Sequence, residues 1–314
     1  MQSFWLSFEI VVPLFLLLGL GWLLRRWEVL GESTLNQIND LCFKVLLPSM
    51  MFRNLYNTAL SELAVGKLLL FSLGCQVLIL ILLFMTIPRL EPRRPARGSM
   101  IQGIFRINFI VFGFAIAEAF GDSGQMGIVS VLAAVLIPFF NLVTVFILEY
   151  YRGDRGSWAE LGKSVLTNPF VVAFLISLVF VCTGIRLPSV VERALEDVSK
   201  MATPISLIAL GGCINFSAAK QYRKQLAITV VGRLVVIPAL FLPLCIAAGF
   251  RGAELLALTI MLIPPTAVSS FNLARKMDAD AELAGHIIVF QSAFSLITIF
   301  LWIWLLGITG YLYL

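Results

Sequence analysis

Long apolar runs separated by short polar connections account for most of the chain. Ten stretches are long enough to cross about 30 Å of hydrocarbon as helices. They run approximately Phe4–Leu24, Thr34–Phe52, Leu68–Pro88, Met100–Phe120, Met126–Leu148, Val165–Cys182, Val191–Ile214, Leu226–Phe250, Leu255–Leu273 and Leu283–Leu306. Five fall in each half, which predicts an all-α integral membrane protein. The longest hydrophilic connection, Glu149–Lys163, lies at the centre and reads as a short linker. The expected organisation is one membrane domain made of residues 1–153 and 154–314, with no soluble domain.

The two halves also echo each other. Pro13, Asp40, Lys44 and Pro48 are followed 156 residues later by Pro169, Glu196, Lys200 and Pro204. An internal duplication with five spans per copy leaves the second copy upside down relative to the first, a common plan among secondary transporters. Basic residues agree. Alternate connections hold fourteen lysines and arginines on one side (Arg25 to Arg26, Arg89 to Arg97, Arg152 to Lys163, Lys220 to Lys224, Arg275 to Lys276) and five on the other (Arg53, Lys67, Arg186, Arg193, Arg251). Positive flanks stay in the cytoplasm, so both termini are expected outside a cell inner (plasma) membrane.

Composition makes the membrane assignment firm and excludes other classes. Hydrophobic residues form 60% of the chain and charged ones 13%, against roughly half and a quarter in soluble domains. The connections account for the net charge of +5, so no basic face is left for nucleic acid. Residues 1–9 lack the positive start of a secretory signal. Cys42, Cys75, Cys182, Cys213 and Cys245 lie in or beside apolar stretches without C-x-x-C spacing, as small buried hydrophobes do. No metal site and no cofactor are expected. No nucleotide-binding Gly-Lys motif occurs, so ATP is not the expected energy source.

Polar residues inside such stretches need a reason, because an ionisable side chain there costs about 2.5–3.5 kcal/mol or more. Asp40 with Lys44, and Glu196 with Lys200, are four apart and can pair on one helix face. They serve either as interfacial salt bridges or as polar support for a site between the repeats. Arg106 and Arg233 lie within stretches four and eight, where each either snorkels to the surface or contacts substrate. The lone His286 beside Asp278, Asp280 and Glu282 reads as a neutral imidazole at the interface, with a proton relay as the alternative.

Stretches four and nine carry the chemistry. The first places Asn108 and Gly113 near its midpoint; the second places Pro264 and Pro265 centrally, followed by Thr266, Ser269, Ser270 and Asn272. Two successive prolines oppose a continuous helix, and the 156-residue offset sets Asn108 against Pro264. Interrupted helices at mid-membrane present free N–H groups and positive dipole ends to a carboxylate. The competing account is a simple proline kink with packing glycines and hydroxyls bonded back to the helix.

Several segments resemble the auxin efflux carrier family, which includes the plant PIN-formed carriers and many bacterial permeases. They are Val11–Trp22 (VVPLFLLLGLGW), Leu46–Phe52 (LLPSMMF), Glu149–Gly153 (EYYRG), Asn168–Phe170 (NPF), Thr203–Gly212 (TPISLIALGG) and Pro264–Val268 (PPTAV). The resemblance covers nearly the whole chain. It implies ten helices in two inverted five-helix repeats, with broken helices four and nine crossing at a mid-membrane site, and a homodimer. It also implies export or exchange of small organic anions such as malate, malonate or auxin-like acids. By position, Asn108 and Gly113 fall on the family's first crossover and Pro264 to Ser270 on its second. Ala115 stands where the family usually has a proline, and Ser269 and Ser270 occupy the region of a second proline in plant members.

The expected function is a secondary transporter moving a small carboxylate by alternating access, with helices one, two, six and seven moving against the crossover bundle. A passive anion channel and a non-transporting membrane sensor or scaffold are the alternatives. No G-x-S-x-G or H-E-x-x-H motif supports an enzyme. No carboxylate lies centrally in any stretch, which favours movement driven by membrane potential over proton coupling, and the oxygens of Thr266, Ser269, Ser270, Asn272 and Gln291 make a thin sodium site.

Overall fold

Where a backbone is denied water its N–H and C=O groups have only each other as partners, and a single apolar segment satisfies them by forming helix. The computed structural model describes residues 2–56, 66–113, 116–117, 123–152, 163, 166–213 and 216–311. Every regular element among them is helical. Ala115, Arg155 and the junction between residues 153 and 154 lie outside the described residues, as do Glu118 and the side chain of Glu9, two carboxylates that the sequence places near the outer ends of stretches four and one.

Helix α1 (Gln2–Arg26) ends on Arg25 and Arg26, whose charges suit the negative end of its dipole. Next come α2 (Glu32–Leu41), a π-turn (Cys42–Leu46) and α3 (Leu47–Tyr56). Then follow α4 (Gly66–Leu90), α5 (Arg94–Phe105), a π-turn at Phe109–Gly113 and α6 (Ser123–Tyr151). The second half has α7 (Pro169–Thr183), α8 (Ser189–Lys200), α9 (Ala202–Cys213) and α10 (Arg223–Val231). It continues through a π-turn (Gly232–Val236) into α11 (Ile237–Ala247), then α12 (Gly252–Leu262), α13 (Ser269–Lys276) and α14 (Ala281–Ile308).

Two of the π-turns have a cause in the sequence. Pro48 and Pro238 lack an N–H, and their rings crowd the carbonyl four residues back. The residue before each proline bonds five residues back instead: Leu47 to the Cys42 carbonyl, and Ile237 to that of Gly232. The helix widens by one residue and continues.

Among the described residues, four helical stretches are long and apolar enough to cross a membrane: Gly66–Leu90, Val131–Tyr151, Ala219–Ala247 and Ala281–Ile308. Their outer faces carry exposed apolar side chains such as Leu70 (73% exposed) and Ile297 (54%). Such faces suit lipid rather than water.

The helices form two groups. In the first, α1 packs along α9, α3 packs along α7, and α8 leans on both α3 and α9. The α1–α9 contact is backbone against backbone. A methyl on Gly21 would overlap the Ile208 carbonyl, and one on Gly211 would overlap the Leu18 carbonyl. The second group joins α5 to α4, α6 and α14, and α12 to α6 and α11. Helix α13 packs on α14 within this group and reaches across to α9, and α14 also packs along α1 of the first group.

Candidate functional site

Two helices of the second group stop in the middle and cross at their breaks. Helix α5 ends at Phe105; Arg106 turns to extended backbone (φ −78°, ψ 141°), and helical geometry resumes at Phe109. Helix α12 ends at Leu262, because Pro264 and Pro265 supply no donors, and α13 begins at Ser269. The Asn108 N–H donates to the Pro265 carbonyl at 2.9 Å, fastening one break to the other. Asn108 also caps the turn that follows, its Oδ1 accepting from the Val111 N–H at 3.4 Å.

Broken helices leave carbonyls that need donors, and long side chains from α14 and the Gly232–Val236 turn supply them. Arg233 is fully buried and donates from Nε to the Pro264 carbonyl (2.8 Å), and through its two terminal nitrogens to Ile104 (3.2 Å) and Met261 (3.3 Å). Its charge therefore sits at the negative ends of two half-helices, where a cation is favoured. Gln291 donates to the carbonyls of Gly103 and Thr229 at 2.9 Å each, and its Oε1 accepts from the Thr266 N–H at 2.9 Å. Gln102 reaches the Ser270 carbonyl at 3.2 Å. Arg233 thus neither snorkels nor faces a cavity; it holds the crossing together.

A cavity of about 40 Å³ lies beside the crossing, between the two helix groups. That volume holds a few waters. Leu47, Met50, Thr203 and Ser206 line it from the first group; Arg106, Asn108, Phe109, Phe140, Asn141 and Ser269 line it from the second. Arg106 is 3% exposed. One terminal nitrogen donates to Asn141 Oδ1 at 2.5 Å, while the other, NH1, is buried without a hydrogen-bond partner. Asn141 is itself held by Met51, whose Sδ lies 3.0 Å from its Nδ2.

Of the residues expected at the site, Asn108 and Ser269 line the cavity together with Arg106. Pro264, Pro265 and Thr266 form the break without facing the cavity. Thr266 and Ser270 meet through their hydroxyls at 3.4 Å. Asn272 donates to Ser206 at 2.6 Å and so ties α13 to α9. Gly113 packs tightly: a methyl there would meet the Phe109 ring at 2.8 Å and Ile260 at 3.1 Å.

Asp40 and Lys44 pair at 3.5 Å, and Glu196 and Lys200 at 2.9 Å, away from the cavity. Each pair has a further partner, Lys276 for Asp40 and Arg53 for Glu196 (2.8 Å). His286 is fully buried, with Nδ1 2.8 Å from the Glu282 carbonyl oxygen. At the arginine-rich end, Glu91 is 3% exposed. Burial pushes its carboxyl up, but hydrogen bonds from Gln225 and Arg93 outweigh this and hold it below the usual carboxylate range.

Sequence reasoning missed Asn141, Thr203, Ser206 and Gln102. Asn141 had a signal, as an amide three residues beyond Pro138 in an otherwise apolar run. Thr203 and Ser206 were visible only as small hydroxyls in an apolar motif.

A profile of the family described as Membrane transport protein matches residues 6–157 and 159–303. A Methanothermobacter thermautotrophicus protein named "Uncharacterized transporter" is 26% identical over 302 residues, covering 94% of this chain and 97% of the relative. A Rhizobium meliloti protein named "Putative malonate transporter" is 21% identical over 324 residues (97% and 94%), and the Escherichia coli K12 "Uncharacterized transporter YfdV" is 21% identical over 307 residues (94% and 96%).

Proposed function

Because the chain belongs to the membrane transport protein family, the auxin efflux carrier group that its motifs resemble, we propose that this multi-pass transporter exports or exchanges a small organic anion by alternating access. The observation that carries this reading is the position of the cavity. It lies between two helix groups and against the crossing of two broken helices, so sliding or rocking one group past the other would open it first to one side and then to the other. In this conformation it holds only a few waters, so a substrate would enter once the groups move apart.

The ten membrane passes form two inverted five-helix repeats, residues 1–153 and 154–314, with both termini outside the inner (plasma) membrane. Packing supports the inversion. Helix α1 on α9 and α7 on α3 are contacts that the 156-residue shift exchanges, and both are extensive. The Asn108–Pro265 bond falls where the shift maps each partner almost onto the other, as expected on a pseudo-two-fold axis. The substrate is a small carboxylate, a class that includes the malonate of one relative's name. An anion leaves a negative interior downhill by about 2.3 kcal/mol per charge per 100 mV, so potential-driven export needs no coupling ion.

Saturable uptake of labelled carboxylates into proteoliposomes is the test. Flux that rises linearly with substrate would identify a channel, and binding without flux a sensor. Uptake into inside-out vesicles that follows a pH gradient and ignores the potential would replace uniport by proton coupling.

A further inference from the structure

Two arginines are buried at the crossing, and only one of them is complete. Arg233 meets three carbonyls. Arg106 has a single fixed partner, Asn141, and its NH1 is sealed from solvent with none. An uncompensated guanidinium inside a protein costs several kcal/mol, a cost that persists in a fold when function uses it. Among the described residues lining the cavity, none supplies a counter-charge. Helix α3 offers Leu47 and Met50, α9 offers Thr203 and Ser206, α6 offers Phe140 and Asn141, and the start of α13 offers Ser269; all are neutral.

We propose that Arg106 is the residue that pairs with the substrate carboxylate, and that as the only cation among the described residues lining the cavity it selects acids presenting a single negative charge there. This rests on the transport reading above. Asn141 acts as a positioning residue: by holding one nitrogen it fixes the guanidinium beside the cavity and leaves NH1 to take another partner. The α13 N-terminus at Ser269 adds partial positive charge on the same side. A second carboxylate would meet only neutral groups, the hydroxyls of Thr203, Ser206 and Ser269 and the amide of Asn108 among Leu47, Met50, Phe109 and Phe140, with no cation to pair with it, and burying an ion without a counter-charge is costly. The selected substrate is therefore a monocarboxylate rather than a dicarboxylate.

Full-length protein carrying Arg106→Lys, Arg106→Gln, Arg106→Met or Asn141→Leu would be compared with wild type in two assays. One is thermal unfolding with and without benzoate, butyrate, malonate and succinate; the other is flux of labelled benzoate in proteoliposomes. In wild type the monocarboxylates should stabilise the protein and compete for flux, and the dicarboxylates should not. Arg106→Gln should melt higher than wild type without ligand, because an unpaired buried charge is gone, and should lose the benzoate-induced shift. Its KM should rise about 10- to 150-fold, the range for one hydrogen bond to a charged group. Arg106→Lys should recover part of this, since it keeps the charge without the fork, and Asn141→Leu should raise KM with kcat nearly unchanged.

Wild-type KM in Arg106→Gln, or in Arg106→Met should the glutamine variant not fold, would overturn the assignment while leaving the transport reading intact. Malonate competing as well as benzoate would overturn the single-charge selection. Absence of saturable flux for every acid in wild type would overturn the transport reading and this inference with it.

Discussion

Replacing Arg233 by leucine should unfold the crossing rather than merely slow transport. The side chain is fully buried and donates at 2.8, 3.2 and 3.3 Å to three carbonyls belonging to two interrupted helices. Leucine fills much of the space and donates nothing. Three bonds to a charged donor, at about 1.5–3 kcal/mol each, amount to about 4.5–9 kcal/mol. Relief from desolvating the guanidinium returns several kcal/mol, leaving a net loss of about 3–5 kcal/mol, the range seen when one side of a buried charged contact is removed. At roughly 2–4 °C per kcal/mol for a chain of a few hundred residues, the melting temperature in detergent should fall by about 6–20 °C. Arg233→Lys should fall by less, since it keeps the charge at the two negative helix ends but reaches fewer carbonyls. Any Arg233→Lys protein that folds should bind substrate with near wild-type affinity. An Arg233→Leu protein that melts within about 2 °C of wild type would refute the idea that this residue holds the crossing.

Three further outcomes are expected. Asn108→Ala removes the cap on the turn after the break and should weaken carboxylate binding in a thermal-shift titration about tenfold without unfolding the protein; unchanged affinity would remove Asn108 from the site. Gly21→Ala and Gly211→Ala each drive a methyl into a facing carbonyl of the α1–α9 contact. Each should cost about 1–3 kcal/mol, the usual range for overpacking, and normal melting of both would show that these helices can separate freely. The carboxyl of Glu91 is held below its ordinary value, so its ionised form contributes stability fully above about pH 4.3 and loses it as pH falls through the depressed folded value. Glu91→Gln should therefore flatten the acid limb of a plot of melting temperature against pH; an identical acid limb would show that other groups set it.

What the sequence made legible follows from the kind of signal each feature leaves. Apolar runs and loop charges are local, so helical membrane passes could be read directly. Pro264 and Pro265 withdraw two consecutive donors, so the break in α12 was readable as well. The break in α5 was harder to see, because no proline marks it within 102–113. There the chain leaves helix at Arg106 because tertiary partners take its free groups: Arg233 and Gln291 bond the carbonyls of Ile104 and Gly103, and Pro265 accepts from Asn108. Those partners sit up to 188 residues away, and no periodicity reports them.

The same limit separates Arg106 from Arg233. In sequence both are single arginines inside apolar stretches, and snorkelling or substrate contact was open for each. Their environments differ in one respect that decides their roles. Arg233 lies where two helices end, among carbonyls that need a donor, so its charge and its hydrogen bonds are used within the fold. Arg106 lies at the start of a break, where its neighbours across the cavity are hydroxyls, amides and apolar side chains, so part of its hydrogen-bonding capacity remains free. The two substitutions should consequently move stability in opposite directions, Arg233→Leu down and Arg106→Gln up. Both variants losing stability would place Arg106 in the framework beside Arg233, whereas opposite shifts would separate framework from site without requiring the substrate to be known.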